Sequence, residues 1–154
     1  MSSVRSASAS AYRRQAMAKR NQFAPPVPYE DEEQATFVGW LELVGLKFTA
    51  IPNHTYNPHH SQQNKNRRIG LRKGLPDMVV VVPHTHSKDG RGHLLFIEMK
   101  RIKDSSVSSD QKLWIAALNM MGAEGVEAHV AKGANEAIAI VSKYIHPATN
   151  ISPF

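Results

Sequence analysis

The chain has 154 residues, of which 42% are hydrophobic, and its 19 lysines and arginines outnumber its 13 aspartates and glutamates to give a formal net charge of +6. A chain of this length is expected to fold as one domain, and no segment approaches the roughly 20 consecutive apolar residues of a membrane span, so we expect neither a multidomain architecture nor a membrane protein. The absence of cysteine excludes disulfides, thiolate metal sites and cysteine nucleophiles and favours a cytoplasmic location, while the positive charge favours a polyanionic partner.

The N-terminal stretch is basic, rich in serine and alanine, and contains no acidic residue as far as position 22. Its cations are Arg5, Arg13, Arg14, Lys19 and Arg20. This composition predicts a disordered arm, interpreted as a DNA-gripping arm, a remnant of cloning or an organellar transit peptide. Prolines follow at positions 25, 26 and 28. We therefore expect residues 1–28 to be arm and lead-in, residues 29–146 to be the folded domain, and residues 147–154 to be a tail.

The first predicted helix begins at an acidic cluster, Glu30 to Glu33, because acidic side chains in a first turn favour the helix dipole. Apolar residues then recur at three- and four-residue spacing, at Phe37, Trp40, Leu41 and Val44. This periodicity predicts a helix to about residue 44 with one buried face.

A short strand over residues 46–51 is followed by a long polar segment, residues 52–73, that we expect to be a loop. Its five cations, which we expect to contact DNA phosphates, are Lys65, Arg67, Arg68, Arg72 and Lys73. Asn53 either contacts the substrate or shapes the turn.

Three histidines within this segment, His54, His59 and His60, suggest a zinc cluster or an HNH-type nuclease as an alternative. An HNH site needs a ββα frame around its histidines, and the segment has no apolar periodicity to build one. Zinc without cysteine would need three or four convergent histidines or carboxylates, so we disfavour both readings.

The second half of the chain alternates strands and helices. Residues 78–83 and 94–99 are apolar runs joined by Asp89-Gly90 and Gly92, which predicts an antiparallel hairpin of central strands. A helix over 108–121, a strand over 126–131 and a helix over 134–144 follow. The order αβββαβα predicts an α/β fold with a mixed central sheet flanked by helices.

The candidate chemistry lies at one end of the predicted hairpin. Glu98 and Lys100 are two residues apart on a strand, so both side chains point to the same face, and Asp77 begins the preceding strand. An antiparallel pairing brings these three residues to one edge of the sheet. Two convergent carboxylates suit a hard divalent cation such as Mg²⁺ or Mn²⁺, and a nearby ammonium can orient water or neutralise charge. The pattern predicts phosphodiester hydrolysis.

Three ordered motifs carry a family resemblance: GLPD at 74–77, FIEMKR at 96–101 and SSDQKLW at 108–114. The acidic helix start at 30–34, the IPN step at 51–53 and the AKG step at 131–133 fit the same pattern. Together they resemble the VRR-NUC (virus-type replication-repair nuclease) family of the PD-(D/E)xK nuclease superfamily. The resemblance implies a restriction-endonuclease-like core and metal-dependent DNA cleavage.

Residue by residue, Asp77 and Glu98 match the family's metal-binding carboxylates and Lys100 matches its motif lysine. Glu30 matches an N-terminal glutamate that often completes the metal site, but Glu33 lies one turn away on nearly the same face, so both remain candidate ligands. Gln111 matches the family's glutamine on the following helix, which is placed to bind a water, a motif residue or DNA.

Stand-alone members of this size resemble phage-encoded homodimers that cleave branched DNA, including Holliday junctions. The resemblance therefore implies a homodimeric, phage- or bacterium-encoded repair endonuclease with Mg²⁺ or Mn²⁺ as cofactor. Two alternatives remain open: a less structure-selective nuclease that cuts flaps, nicked DNA or linear duplex, and a basic DNA-binding module without catalysis.

Overall fold

A four-stranded mixed sheet lies at the centre of the protein in the computed structural model, which describes residues 26–52 and 60–147. The elements in chain order are α1 (Glu30–Leu43), β1 (Lys47–Ala50), α2 (His60–Arg68), β2 (Met78–Val82), β3 (His93–Lys100), α3 (Ser109–Met120), β4 (Val126–Lys132) and α4 (Ala134–Ser142). The strand order is β1-β2-β3-β4, with antiparallel pairs except for the parallel pair of β3 and β4. The predicted α/β fold with a mixed sheet flanked by helices is confirmed.

The hairpin of β2 and β3 has the predicted antiparallel pairing, and its register pairs Met78 with Ile97 and Val82 with His93. Asp89 stabilises the turn, because its carboxylate accepts hydrogen bonds from the Ser87 hydroxyl (2.5 Å) and from the backbone N–H of Arg91 (2.9 Å). The register brings the residue before Met78 beside the residue after Ile97. This end of the hairpin carries the predicted chemistry.

The hydrophobic core lies between one face of the sheet and the helices α1 and α4. Fully buried side chains from four elements meet there: Phe37, Leu41, Val80, Ile97 and Val141. Burying each such side chain contributes about 1.5–3 kcal/mol, so this layer fixes the position of β3 between its neighbours. No helix of the described residues is long and apolar enough to cross a membrane.

Helix α3 lies on the other side of the sheet. Glu98 alternates along β3 with the core residues Ile97 and Met99, and Gln111 in the first turn of α3 reaches it. None of the residues of α3 is buried. The side chain of Asn119 pairs with both backbone groups of Ala128, with distances of 2.7 and 2.9 Å. Because β4 is the outermost strand, this pairing occupies part of an exposed sheet edge.

Helix α2 differs from the prediction, which made residues 52–73 one loop. Its sequence, HSQQNKNRR, has no apolar residue, so hydrophobic periodicity could not reveal it. A Gln62–Asn66 side-chain hydrogen bond of 3.0 Å and a basic last turn support the helix instead. Asn53, His54 and His59 lie outside the described residues.

Candidate active site

The predicted carboxylates and lysine lie together at one end of the β2–β3 hairpin. Asp77 lies directly before β2, and its side-chain Oδ2 accepts a hydrogen bond of 2.9 Å from the backbone N–H of Met99. Its backbone carbonyl accepts a hydrogen bond of 2.7 Å from Ile51 N–H. Both bonds fix the Asp77 carboxylate beside the end of β3.

Glu98 is the most unusual residue of the site, because it is a carboxylate with 0% exposure in a strand of apolar residues. Its Oε1 lies 2.6 Å from Lys100 Nζ and also accepts a hydrogen bond from the side-chain amide of Gln111. Its Oε2 is buried and has no hydrogen-bond partner among the described residues. A buried carboxylate oxygen without a donor is costly, and it is the natural ligand for a cation.

Burial also determines the charge state of this pair. Loss of hydration raises the pKa of Glu98 to about 7, although the hydrogen bond from Lys100 opposes that shift. Burial by itself lowers the pKa of Lys100, but the hydrogen bond and negative charge of Glu98, with Glu30 and Asp77 nearby, outweigh it and raise the pKa above its ordinary value. Lys100 is therefore a cation at neutral pH, while Glu98 without a metal is partly protonated.

The structure separates the two N-terminal glutamates. Glu30 Oε1 lies 3.8 Å from Lys100 Nζ, at the edge of the cluster. Glu33 is 8% exposed, and its Oε2 accepts a hydrogen bond of 2.6 Å from Ala134 N–H at the first residue of α4. An anion at a helix N-terminus is stabilising, so Glu33 joins α1 to α4. Gly133 belongs to this contact, since a Cβ there would lie 3.1 Å from Glu33 Oε2.

Gln111 connects the start of α3 to the cluster. Its side-chain Oε1 accepts a hydrogen bond of 2.8 Å from Ser108 N–H, and its own N–H donates to the Ser108 hydroxyl at 3.3 Å, which is a capping box. With Oε1 engaged in this way, the amide nitrogen points at Glu98. The first turn of α3 therefore orients the amide that holds the buried carboxylate.

The segment before Asp77 packs tightly against the same turn of α3. Gly74 has φ +93°, and a Cβ there would lie 2.7 Å from backbone and side-chain atoms of Asp110. Lys73 Nζ lies 2.8 Å from Asp110 Oδ2, and Trp114 Nε1–H donates to the Lys73 carbonyl at 3.0 Å. The glycine of the GLPD motif is thus needed for conformation and for space, a role that sequence analysis did not assign.

Arg101 is a second residue whose role was missed. Its guanidinium donates to the carbonyls of Pro28 and Val27, at 3.2 and 3.3 Å, and lies 5.2 Å from the centre of the Tyr29 ring. These contacts anchor the chain directly before Glu30, so Arg101 positions the start of α1. Its place directly after Lys100 in the motif was the available signal.

The predicted DNA-contacting cations divide into two groups. Lys65, Arg67 and Arg68 lie exposed in the last turn of α2. Arg72 caps that helix, since its Nη1 donates to the carbonyls of Arg67 and Leu71, both at 3.0 Å. Arg67, Arg72 and Lys73 line one cavity together with Asp110 of the first turn of α3. Asn53 lies outside the described residues.

The described side chains contain no group of three histidines, cysteines or acidic residues arranged to hold a metal. Mg²⁺, however, keeps several waters and is often held by one or two carboxylates together with substrate phosphate. Asp77 and Glu98, with the unpaired Glu98 Oε2, fit that requirement. The alternative histidine cluster depends largely on residues outside the described range.

Comparison with known proteins agrees with this geometry. The model of the VRR-NUC domain matches residues 15–135, a range that begins inside the predicted arm and ends within α4. A solved structure named as a VRR_NUC domain protein is 30% identical, with 79% of this chain and 91% of that chain covered and a TM-score of 0.54. No curated protein matches the chain. The chain therefore belongs to the VRR-NUC domain family, which implies that it is a nuclease acting on DNA.

Proposed function

We propose that the protein is an endodeoxyribonuclease that depends on Mg²⁺ or Mn²⁺, with Asp77 and Glu98 as the metal ligands. The observation that carries the proposal is the buried Glu98 carboxylate beside Asp77, with one oxygen that has no hydrogen-bond partner among the described residues. A cation bound to this oxygen would replace the hydration that the carboxylate loses on burial.

The metal, when bound, supplies Lewis-acid polarisation of the phosphodiester and stabilises negative charge on the leaving oxygen. Lys100 contributes three N–H donors, and its contact with Glu98 leaves donors for an attacking water or a phosphate oxygen. Gln111 holds Glu98 in place through its amide. Glu30, directly or through a water, completes the site, whereas the contact of Glu33 with α4 makes it the weaker candidate.

The proposed substrate is branched DNA such as a Holliday junction, which a homodimer would cut with two sites. This part of the proposal follows from the resemblance and from symmetry, because one domain has one active site and resolution needs two cuts. The less selective nuclease that cuts flaps, nicks or duplex is the second candidate. A phage or bacterial source, a role in repair and a cytoplasmic location remain predictions.

If the protein were a non-catalytic DNA-binding module, we would expect a different set of residues at this site. Such a module needs surface cations but no buried carboxylate, and Glu98 with 0% exposure has no use in phosphate binding. The buried acid beside Lys100 therefore favours the enzyme.

Cleavage assays test the proposal directly. Labelled four-way junction, flap, duplex and single-stranded DNA are incubated with Mg²⁺, Mn²⁺ or EDTA. We expect cleavage only with metal, and a loss of at least about 100-fold in Asp77→Asn and Lys100→Ala. Glu42→Gln, an exposed glutamate at the other end of α1, is the matched control and should keep full activity. Cleavage in EDTA, or full activity of Asp77→Asn, would refute the mechanism.

Two further measurements separate metal binding from catalysis and from assembly. Mn²⁺ binding, followed as the loss of the free-ion electron paramagnetic resonance signal, should weaken in Glu98→Gln but not in Glu42→Gln. Sedimentation of the protein with and without a four-way junction should give a dimer. A monomer on the junction would contradict the homodimer and leave the chemistry intact.

A further inference from the structure

A cavity of about 750 Å³ is lined by residues of α2, the segment after it and the first half of α3. Asp110 and Lys73 form part of its wall. Asp110 precedes Gln111, whose amide holds Glu98, and Lys73 precedes the GLPD segment that leads to Asp77. A ligand in the cavity would therefore lie against the turn of α3 that holds Glu98 through Gln111, and against the segment that leads to Asp77.

One wall of the cavity is apolar. It consists of Leu71, Leu113 and Trp114, and the two leucines are 39% and 69% exposed. Trp114 uses its only N–H for the Lys73 carbonyl at 3.0 Å, so the indole can contribute only its ring surface to a ligand. Such a wall suits a flat, apolar face such as that of a nucleobase.

The lining also contains cationic side chains. Arg67 and Arg72 line it, and the bonds of Arg72 to two backbone carbonyls use a single nitrogen of a guanidinium that carries five N–H donors. Lys73 is paired with Asp110 at 2.8 Å, so the two arginines are the principal charges available to a phosphate. Phosphate contact alone needs only cations, and paired DNA keeps its base faces stacked. Apolar side chains beside two arginines suit an unstacked base together with its phosphate.

We propose that this cavity binds an unpaired nucleotide of the DNA next to the scissile phosphate. The base lies against Leu71, Leu113 and Trp114, and its phosphate is contacted by Arg67 and Arg72. The inference rests on the proposed nuclease function and narrows its substrate to DNA with an unpaired nucleotide at the cut, as at a flap or an opened branch point. Because Trp114 offers only a ring surface, recognition should depend little on which base is bound.

The test measures binding in EDTA, where cleavage does not interfere. The probes are a flap whose first unpaired position is 2-aminopurine, a thymidine octanucleotide and a blunt duplex. Leu113→Glu places an anion in the cavity at an exposed position that the fold does not need, and Met120→Glu, 83% exposed on the same helix but outside the cavity, is the matched control. We expect Leu113→Glu to weaken binding of flap and octanucleotide by about 10-fold or more and to leave duplex binding within about 2-fold.

Three outcomes would overturn the inference. Flap binding by Leu113→Glu equal to that of the wild type is one, and an equal loss on the blunt duplex is another. Displacement of the octanucleotide by an acidic peptide of equal charge, as readily as by unlabelled octanucleotide, would mean a charge site without base recognition. If DNA is cleaved normally but Leu113→Glu has no effect, the cavity proposal alone fails, whereas absence of DNA cleavage by the wild type refutes the proposed function itself.

Discussion

The buried carboxylate of Glu98 predicts an unusual dependence of stability on pH. Its pKa rises from the ordinary value of 4.5 to about 7 in the folded protein because burial removes hydration. The folded state therefore binds this proton more tightly than the unfolded chain does. The resulting stabilisation is complete below pH 4.5 and is lost as the pH rises through about 7.

The magnitude follows from the size of the shift. Each pKa unit corresponds to about 1.4 kcal/mol, so ionising Glu98 in the metal-free protein costs roughly 3 kcal/mol of unfolding free energy by pH 8. Glu98→Gln cannot ionise. The free energy of unfolding of the variant minus that of the wild type should therefore increase by up to roughly 3 kcal/mol between pH 5 and pH 8.

Urea unfolding in EDTA, followed by circular dichroism at pH 5, 6, 7 and 8, measures this difference. Glu42→Gln is the control and should give a flat difference, since its side chain is exposed. Excess Mg²⁺ or Mn²⁺ at pH 8 should stabilise the wild type and leave Glu98→Gln nearly unchanged. A difference between Glu98→Gln and wild type that does not vary with pH would refute the argument from burial.

Other predictions concern the supports of the site. Gly74→Ala should destabilise the fold by about 2 kcal/mol or more, measured by urea unfolding, because the new Cβ meets the first turn of α3. Gly90 has φ +71° but open space around it, so Gly90→Ala should destabilise the fold by only about 1 kcal/mol. Equal losses in the two variants would contradict the role of the close contact at Gly74. Glu33→Gln should lower the free energy of unfolding by about 1 kcal/mol without changing Mn²⁺ affinity. Glu30→Gln should weaken Mn²⁺ binding and leave the free energy of unfolding unchanged. Weaker Mn²⁺ binding in Glu33→Gln but not in Glu30→Gln would show that Glu33 is the ligand. Arg68→Ala should reduce the slope of log affinity for duplex DNA against log salt by about 0.9, and an unchanged slope would remove it from the interface.

The sequence predicted the elements whose apolar residues face the core. Residues such as Phe37, Val80 and Ile97 repeat with the period of their helix or strand, so burial leaves a readable pattern. The turn residues predicted the antiparallel pairing of the hairpin, which brings Asp77 beside the end of the strand that carries Glu98. Both signals lie within short stretches of the chain, which is why they could be read from the sequence.

What the sequence could not provide depends on contacts between distant segments. Helix α2 has no apolar face and so no periodic signal. Glu30 and Glu33 are one helical turn apart, and only the packing of α1 against α4 separates them, with one beside Lys100 and the other at Ala134. The cavity is lined jointly by α2, the segment after it and α3, and no pattern within one of these segments predicts it.

The arrangement around Glu98 is better explained by a bound cation than by a structural ion pair. A buried ion pair adds little to stability, because desolvation offsets the attraction, and well-packed apolar residues of similar volume are often more stable. A purely structural pair would also leave no reason for Gln111 to reach the same oxygen while Glu98 Oε2 lacks a hydrogen-bond partner among the described residues. The roughly 3 kcal/mol that Glu98 costs at pH 8 is a stability defect at one end of an otherwise apolar strand. In the proposed mechanism, a divalent cation shared with Asp77 would offset that cost and would connect the stability of the metal-free protein to the chemistry of the loaded one.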